Sequence, residues 1–131
     1  LWAKTSAQEE HGWNGKAFGS VIVTREGDNV LLFAEKGSWL GRGVSFSNAL
    51  RWTIDRQGGT ISLEHLRRGA THPVFLFHLA LSGERSMASV DAHLCQNDAY
   101  FGEMHWDRYR VQLRCRAIGP SKNDEMQYEY T

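Results

Sequence analysis

Proline is nearly missing from this chain, with two in 131 residues, and cysteine is as scarce, with Cys95 and Cys115 alone. Two thiols are too few for a disulfide-stapled scaffold. The expectation is two free, largely buried thiols in a reducing compartment, with one bridge between neighbouring strands as the alternative. Charge of one sign is also missing: 15 Lys and Arg stand against 15 Asp and Glu. That balance leaves no electrostatic footprint for nucleic acid or an anionic membrane. No apolar run approaches the roughly 18 residues of a membrane span, and no secretory leader is visible. A cytoplasmic location is therefore expected, although the chain starts at Leu1 without a methionine and a trimmed leader would have left with its natural start.

Aromatic residues are what the chain has in quantity: five Trp, four Tyr and six Phe. With few prolines, that composition suits sheet. The length suits one domain over residues 1–131, enough to bury about two-thirds of the unfolded surface. No segment sustains a helical period; one helical turn at Ala7–Glu10 is the most that is expected.

Alternation with a period of two runs through most of the chain. Gly15–Thr24 and Val30–Lys36 flank a Glu26-Gly27-Asp28-Asn29 turn and read as a hairpin. Gly37–Gly43 reads as a loop. Val44–Arg56 places Val44, Phe46, Leu50, Trp52 and Ile54 on one face, with Asn48 interrupting the stripe and Arg51 on the other side. Thr60–Arg67 returns with Ile61, Leu63 and His65 aligned. Val74–Ser82 is apolar except at His78 and predicts burial on both faces. Ser86–Cys95, Tyr100–Trp106, Tyr109–Ile118 and Glu125–Thr131 complete the series, the third with Tyr109, Val111, Leu113, Cys115 and Ala117 facing in. Leu1–Thr5 reads as the tail of a first strand with Trp2 inward. Strands joined by short hairpins pair as an antiparallel up-and-down meander. At this length a meander closes on itself or leaves long edges. The fold class expected is all-β, a barrel of eight to ten strands, with a sandwich second.

The polar residues set into otherwise apolar runs are Glu35, Arg51, His78, His93, Asp98, Tyr100 and Lys122. Buried polar groups must be paired, so they form either an internal network or the lining of a ligand cavity. Parity leaves Arg51 as readily outside as inside. His93-x-Cys95 has the wrong spacing for zinc, so no metal is expected. Residues i and i+2 on a strand lie too far apart for a direct Cys–His pair, which disfavours Cys95 as a nucleophile. Gly119-Pro120-Ser121-Lys122 is a sharp corner and not a phosphate loop. Arg108, Arg110, Arg114 and Arg116 read as a solvated strand face.

Three stretches carry a family resemblance: Phe77-His78-Leu79, the run His93-Leu94-Cys95-Gln96-Asn97-Asp98-Ala99-Tyr100-Phe101-Gly102, and the corner Gly119-Pro120-Ser121-Lys122-Asn123-Asp124. With Trp2, Gly15–Gly19 and Phe33–Gly37, the chain resembles the small bacterial and fungal proteins of domain-of-unknown-function family 6314 over nearly its whole length. Ser121 stands where that family usually has Arg, and the first strand lacks its start. The resemblance implies a calycin- or lipocalin-like barrel. It supplies no activity. The function expected is binding of a small, partly apolar molecule inside the barrel, oriented by Glu35, His78, His93, Asp98, Tyr100 and Lys122. The alternatives are a cofactor-independent isomerase, cyclase or hydrolase using His78 or His93 with Asp98, and a structural or interaction module with a filled interior. No cofactor, nucleic acid or membrane partner is expected; a homodimer is left open.

Overall fold

Short turns at glycines organise the chain. Gly27 and Gly59 take φ of 64° and 67°, the left-handed backbone that closes tight hairpins. In the computed structural model the backbone is described for residues 2–5, 14–41, 43–91, 93–95, 97–120 and 122–131, the side chains of 2–5, 14, 93, 95 and 122 excepted. Among these residues lie eleven strands: β1 (Trp2–Thr5), β2 (Asn14–Glu26), β3 (Val30–Trp39), β4 (Val44–Asp55), β5 (Thr60–His65), β6 (Val74–Gly83), β7 (Ser86–Ser89), β8 (His93–Cys95), β9 (Asp98–Trp106), β10 (Val111–Gly119) and β11 (Lys122–Tyr130). The helical turn expected at Ala7–Glu10 lies outside the described residues, as does the side chain of Trp2.

All strands join one antiparallel sheet, a meander that curls into a barrel-like shape; the sandwich, which needs two sheets, is not found among the described residues. The order is β10-β11-β1-β2-β3-β4-β5-β6-β7-β9-β8, and β9 also pairs with β10. The four residues of β1 bridge β11 and β2: Trp2 sits opposite Gln127 on one side and Lys16 on the other. On one edge of β9, β7 pairs with residues 103–105 and β8 with residues 98–100.

Curling needs close backbone approach, and glycines supply it. A Cβ on Gly37 would lie 2.7 Å from the Phe46 ring and against the Phe18 carbonyl. Gly19, its partner across the β2–β3 ladder, has no more room. This glycine pair bends both long strands, with Phe46 covering the bare backbone.

The inner face carries Leu50, Trp52, Leu63, Phe77, Leu79, Met87, Leu113 and Tyr128 as one buried cluster. Alternation along each strand puts these residues together and their neighbours outside. Four expectations are corrected. The loop expected at Gly37–Gly43 starts later, because β3 continues to Trp39. Ser86–Cys95 is two strands, β7 and β8. Tyr109 is 78% exposed, because the Asp107 carboxylate accepts the N–H groups of Tyr109 and Arg110 and turns the chain before β10 begins. β6 is covered on one face only: His78 is exposed and Leu81 is 68% exposed, with no second layer outside the sheet among the described residues. Its extra apolar content comes from a bulge opposite Leu63 and Glu64, which lets both Leu76 and Phe77 contact the core.

Candidate functional site

Among the described residues, Glu35 is the buried charged residue of the interior, 5% exposed, on the inner face of β3. Its carboxylate accepts a hydrogen bond from the Tyr130 hydroxyl of β11 and a long one, 3.5 Å, from the Asn48 amide of β4. Asn48, which interrupts the apolar stripe of β4, therefore has a reason to face inward. Phe33 packs edge-on against Tyr130 at 5.4 Å, and the Tyr128 and Tyr130 rings lie parallel at 6.1 Å. Desolvation pushes both phenols well above their ordinary value, with Cys115 and then the Glu35 charge adding to it at Tyr128, and the Glu35 hydrogen bond and charge adding to it at Tyr130. Desolvation, with the Glu35 charge second, pushes the Cys115 thiol up to about 12. Beside Glu35 lies a cleft of 310 Å³, walled by Gly19 and Val21 of β2 and by Tyr128 and Tyr130 of β11.

Two further cavities lie inside the curl. One, of 210 Å³, is lined only by apolar and aromatic residues, among them Leu31, Phe33, Trp52 and Met104. The other, of 180 Å³, lies toward the β10–β11 turn on a floor of Leu50, Leu63, Phe77 and Leu113, with His65, Tyr100 and Asp124 among its lining. Leu113 lines both and divides them. Burial, with the Arg67 charge second, pulls the His65 imidazole below its ordinary value, and its Nδ1 accepts the Arg67 N–H at 3.0 Å. Neutral His65 therefore presents a polar edge to this mouth.

The sequence-selected residues divide by strand parity. Glu35 is inside, and Tyr100 lines the 180 Å³ cavity. Asp98 packs its carboxylate against the Gly119 backbone, where a Cβ would collide with it. Arg51 is outside, donating from Nε to Glu64 at 2.8 Å, because both its neighbours, Leu50 and Trp52, are buried. His78 is outside for the same reason, between Phe77 and Leu79, and Ser62 shares a 2.6 Å hydrogen bond with its Nδ1. The pleat thus places Arg51, whose facing parity left open, outside, and points His78, expected to orient a ligand, away from the interior. The side chains of His93, Cys95 and Lys122 lie outside those described; in the backbone, His93 pairs opposite Tyr100 and Lys122 opposite Gly119. Arg110 and Arg114 of the basic stripe make exposed ion pairs with Asp107, Glu129, Glu103 and Glu125. No cluster of three or more metal-ligating side chains occurs among the described residues. No helix among them is long and apolar enough to cross a membrane.

The interior residues not selected from the sequence are His65, Asp124, Tyr128 and Tyr130. Their signal was alternation: each shares its face with a neighbour that is buried or packed on the core, such as Leu63 or Met126.

An all-β, barrel-like sheet with a partly hollow interior is the class of protein these strands define. The chain belongs to the family of unknown function DUF6314, whose model matches residues 2–131. No curated protein and no solved structure matches it.

Proposed function

We propose that this protein binds a small, partly apolar molecule inside a closed, calycin-like barrel, in the 180 Å³ cavity toward the β10–β11 turn. Closure is supported by β9, which pairs with β10 on one edge and with β7 on the other. The observation that carries the binding reading is an apolar floor facing a rim with a few polar groups, His65, Tyr100 and Asp124, which is how ligand pockets are commonly built. A dry apolar cavity of about 150 Å³ accepts benzene, so the ligand is the size of one ring with a polar head. The inward-facing free thiol of Cys115 suits a reducing compartment such as the cytoplasm.

Benzyl alcohol, one ring with one hydroxyl, is the probe. Ala117 lines the cavity and is 8% exposed, so Ala117→Leu fills the space from within. Backbone NMR should show saturable shifts at residues 100, 117 and 124 in the native protein and none in Ala117→Leu. Equal shifts in both proteins, or none in either, would refute this site.

A further inference from the structure

At the other end of β10 from the 180 Å³ cavity, the β6–β7 and β9–β10 turns frame an open cleft of 530 Å³, lined by Arg85, Trp106, Asp107 and Arg108. It shares no residue with that cavity. Every residue of both turns is described, and β10 pairs with β9 on the side of the cleft and with β11 on the other.

The two turns are fixed to each other. The Trp106 N–H donates to the Arg85 carbonyl at 3.0 Å, and Ser86 sits opposite His105 in the β7–β9 ladder. Arg85 and Arg108 thus reach one cleft from two anchored backbones that meet at Trp106. The indole is half-buried and packed on the core cluster, which makes it a fixed platform.

The sign of the cleft follows from which charges are already engaged. The Asp107 carboxylate accepts the N–H groups of Tyr109 and Arg110, and the Arg110 Nε at 3.3 Å. Arg110 also lies 3.8 Å from Glu129, on the β11 side. Asp107 is therefore taken up by its own turn and by Arg110. Among the described residues neither Arg85 nor Arg108 enters an ion pair. Arg108 instead lies with its Cζ 6.0 Å from the Tyr109 ring centroid, a contact that orients a guanidinium without neutralising it.

Two guanidinium groups beside a fixed indole suit an anion that carries a ring. A guanidinium meets phosphate with two parallel N–H donors. Two of them match a phosphate monoester, whose charge is about −1.5 to −2 at pH 7. A Trp ring stacks on a planar base whatever its sequence of donors and acceptors. We infer that this cleft binds a phosphate monoester bearing a planar ring, the chemistry of a nucleoside monophosphate, with Arg85 and Arg108 on the phosphate and Trp106 against the ring. The cleft lies within the roughly 300–1,000 Å³ of small-molecule sites.

The test titrates adenosine monophosphate beside adenosine, which lacks the phosphate, and ribose phosphate, which lacks the ring, at constant ionic strength with backbone NMR. The nucleotide should bind at least about tenfold more tightly than either fragment, with saturable shifts centred on residues 85 and 106–108. Arg85→Gln and Arg108→Gln together, both at exposed positions, should erase its preference over adenosine. Trp106→Phe, mild enough for a residue packed on the core, should weaken the nucleotide several-fold and leave ribose phosphate unchanged. Equal affinities for the nucleotide and ribose phosphate in the native protein would make the cleft a plain anion patch and overturn the inference. A preference over adenosine that survives the double arginine variant, shifts centred elsewhere, or no saturable nucleotide binding by about 10 mM would overturn it as well.

Discussion

Gly102→Ala tests how tightly the inner face is locked where β9 crosses β6. An added Cβ would lie 2.5, 2.6 and 2.9 Å from three atoms of the Phe77 ring, against a carbon–carbon optimum of roughly 3.5–4.0 Å. Relief therefore needs a movement of about 1 Å, and neither side is free to make it. Phe77 is 1% exposed inside the core cluster. The Gly102 backbone is held on one edge by the β10 ladder opposite Cys115. On the other edge Ser89 Oγ accepts its N–H at 2.6 Å and donates to its carbonyl at 3.1 Å. Overpacking of this kind costs about 1–3 kcal/mol. Urea unfolding followed by tryptophan fluorescence should show a lowered midpoint at an unchanged m-value. Phe77→Leu alone should cost about 1–2 kcal/mol as a partial truncation, and in the double mutant the two costs should fall short of additivity by about 1 kcal/mol or more. A Gly102→Ala cost below about 0.5 kcal/mol, or strict additivity with Phe77→Leu, would refute the reasoning.

Trp52, 4% exposed and packed on Phe33 at 6.2 Å, should cost about 3–5 kcal/mol on truncation to alanine, measured by the same urea titration. A cost below about 0.5 kcal/mol would overturn the facing of β4. Cys115, with its thiol raised from 9.0 to about 12, should resist iodoacetamide at pH 8 in the folded protein and react in urea, read by mass in a Cys95→Ser background. The same shift has a pH consequence. Between about pH 9 and 12 the folded state holds a proton that the unfolded state has lost, so this contribution to stability is present below pH 9 and falls as pH rises. Cys115→Ala should flatten the alkaline decline; an unchanged slope would show the thiol to be hydrated in the fold.

Local pattern carried most of the strand assignments, and carried them because a sheet with one covered face writes its facing into alternation. The Glu26–Asn29 and Gln57–Gly59 turns, the inward Tyr128 and Tyr130, and the outward position of Arg51 all follow from neighbours one or two residues away. What the sequence could not show is contact between strands far apart in it. Tyr130 reaches Glu35 across a separation of 95 residues, and no local spacing announces that pair. The bulge that turns both Leu76 and Phe77 toward the core is hidden for a related reason: the apolar run around His78 reads the same whether a strand is covered twice or kinked once. Asn48 looked like a defect in a stripe because its partner, Glu35, belongs to the preceding strand of the hairpin.

The stretch that carries the family resemblance most specifically, from His93 to Asp124, does mechanical work in this fold. Asp98 lies against the bare backbone of Gly119, and Gly102 lies beneath Phe77 and between the two hydrogen bonds of Ser89. Two of its glycines are thus explained by close approach, without a ligand. These contacts fasten β9 to β10 along one edge and to β6 and β7 along the other. The glycines of this motif thus have mechanical reasons to be there, and in the interior only its inward polar side chains, Tyr100 and Asp124, are candidates for binding. The interior residues with a chemical question left to answer face inward: Glu35, buried with neutral donors among the described residues, and His65, Tyr100 and Asp124 at the rim of a cavity they do not fill, the last two within that stretch. Experiments on the function of the interior belong at those side chains, with Asp98 and Gly102 reserved as probes of the clasp.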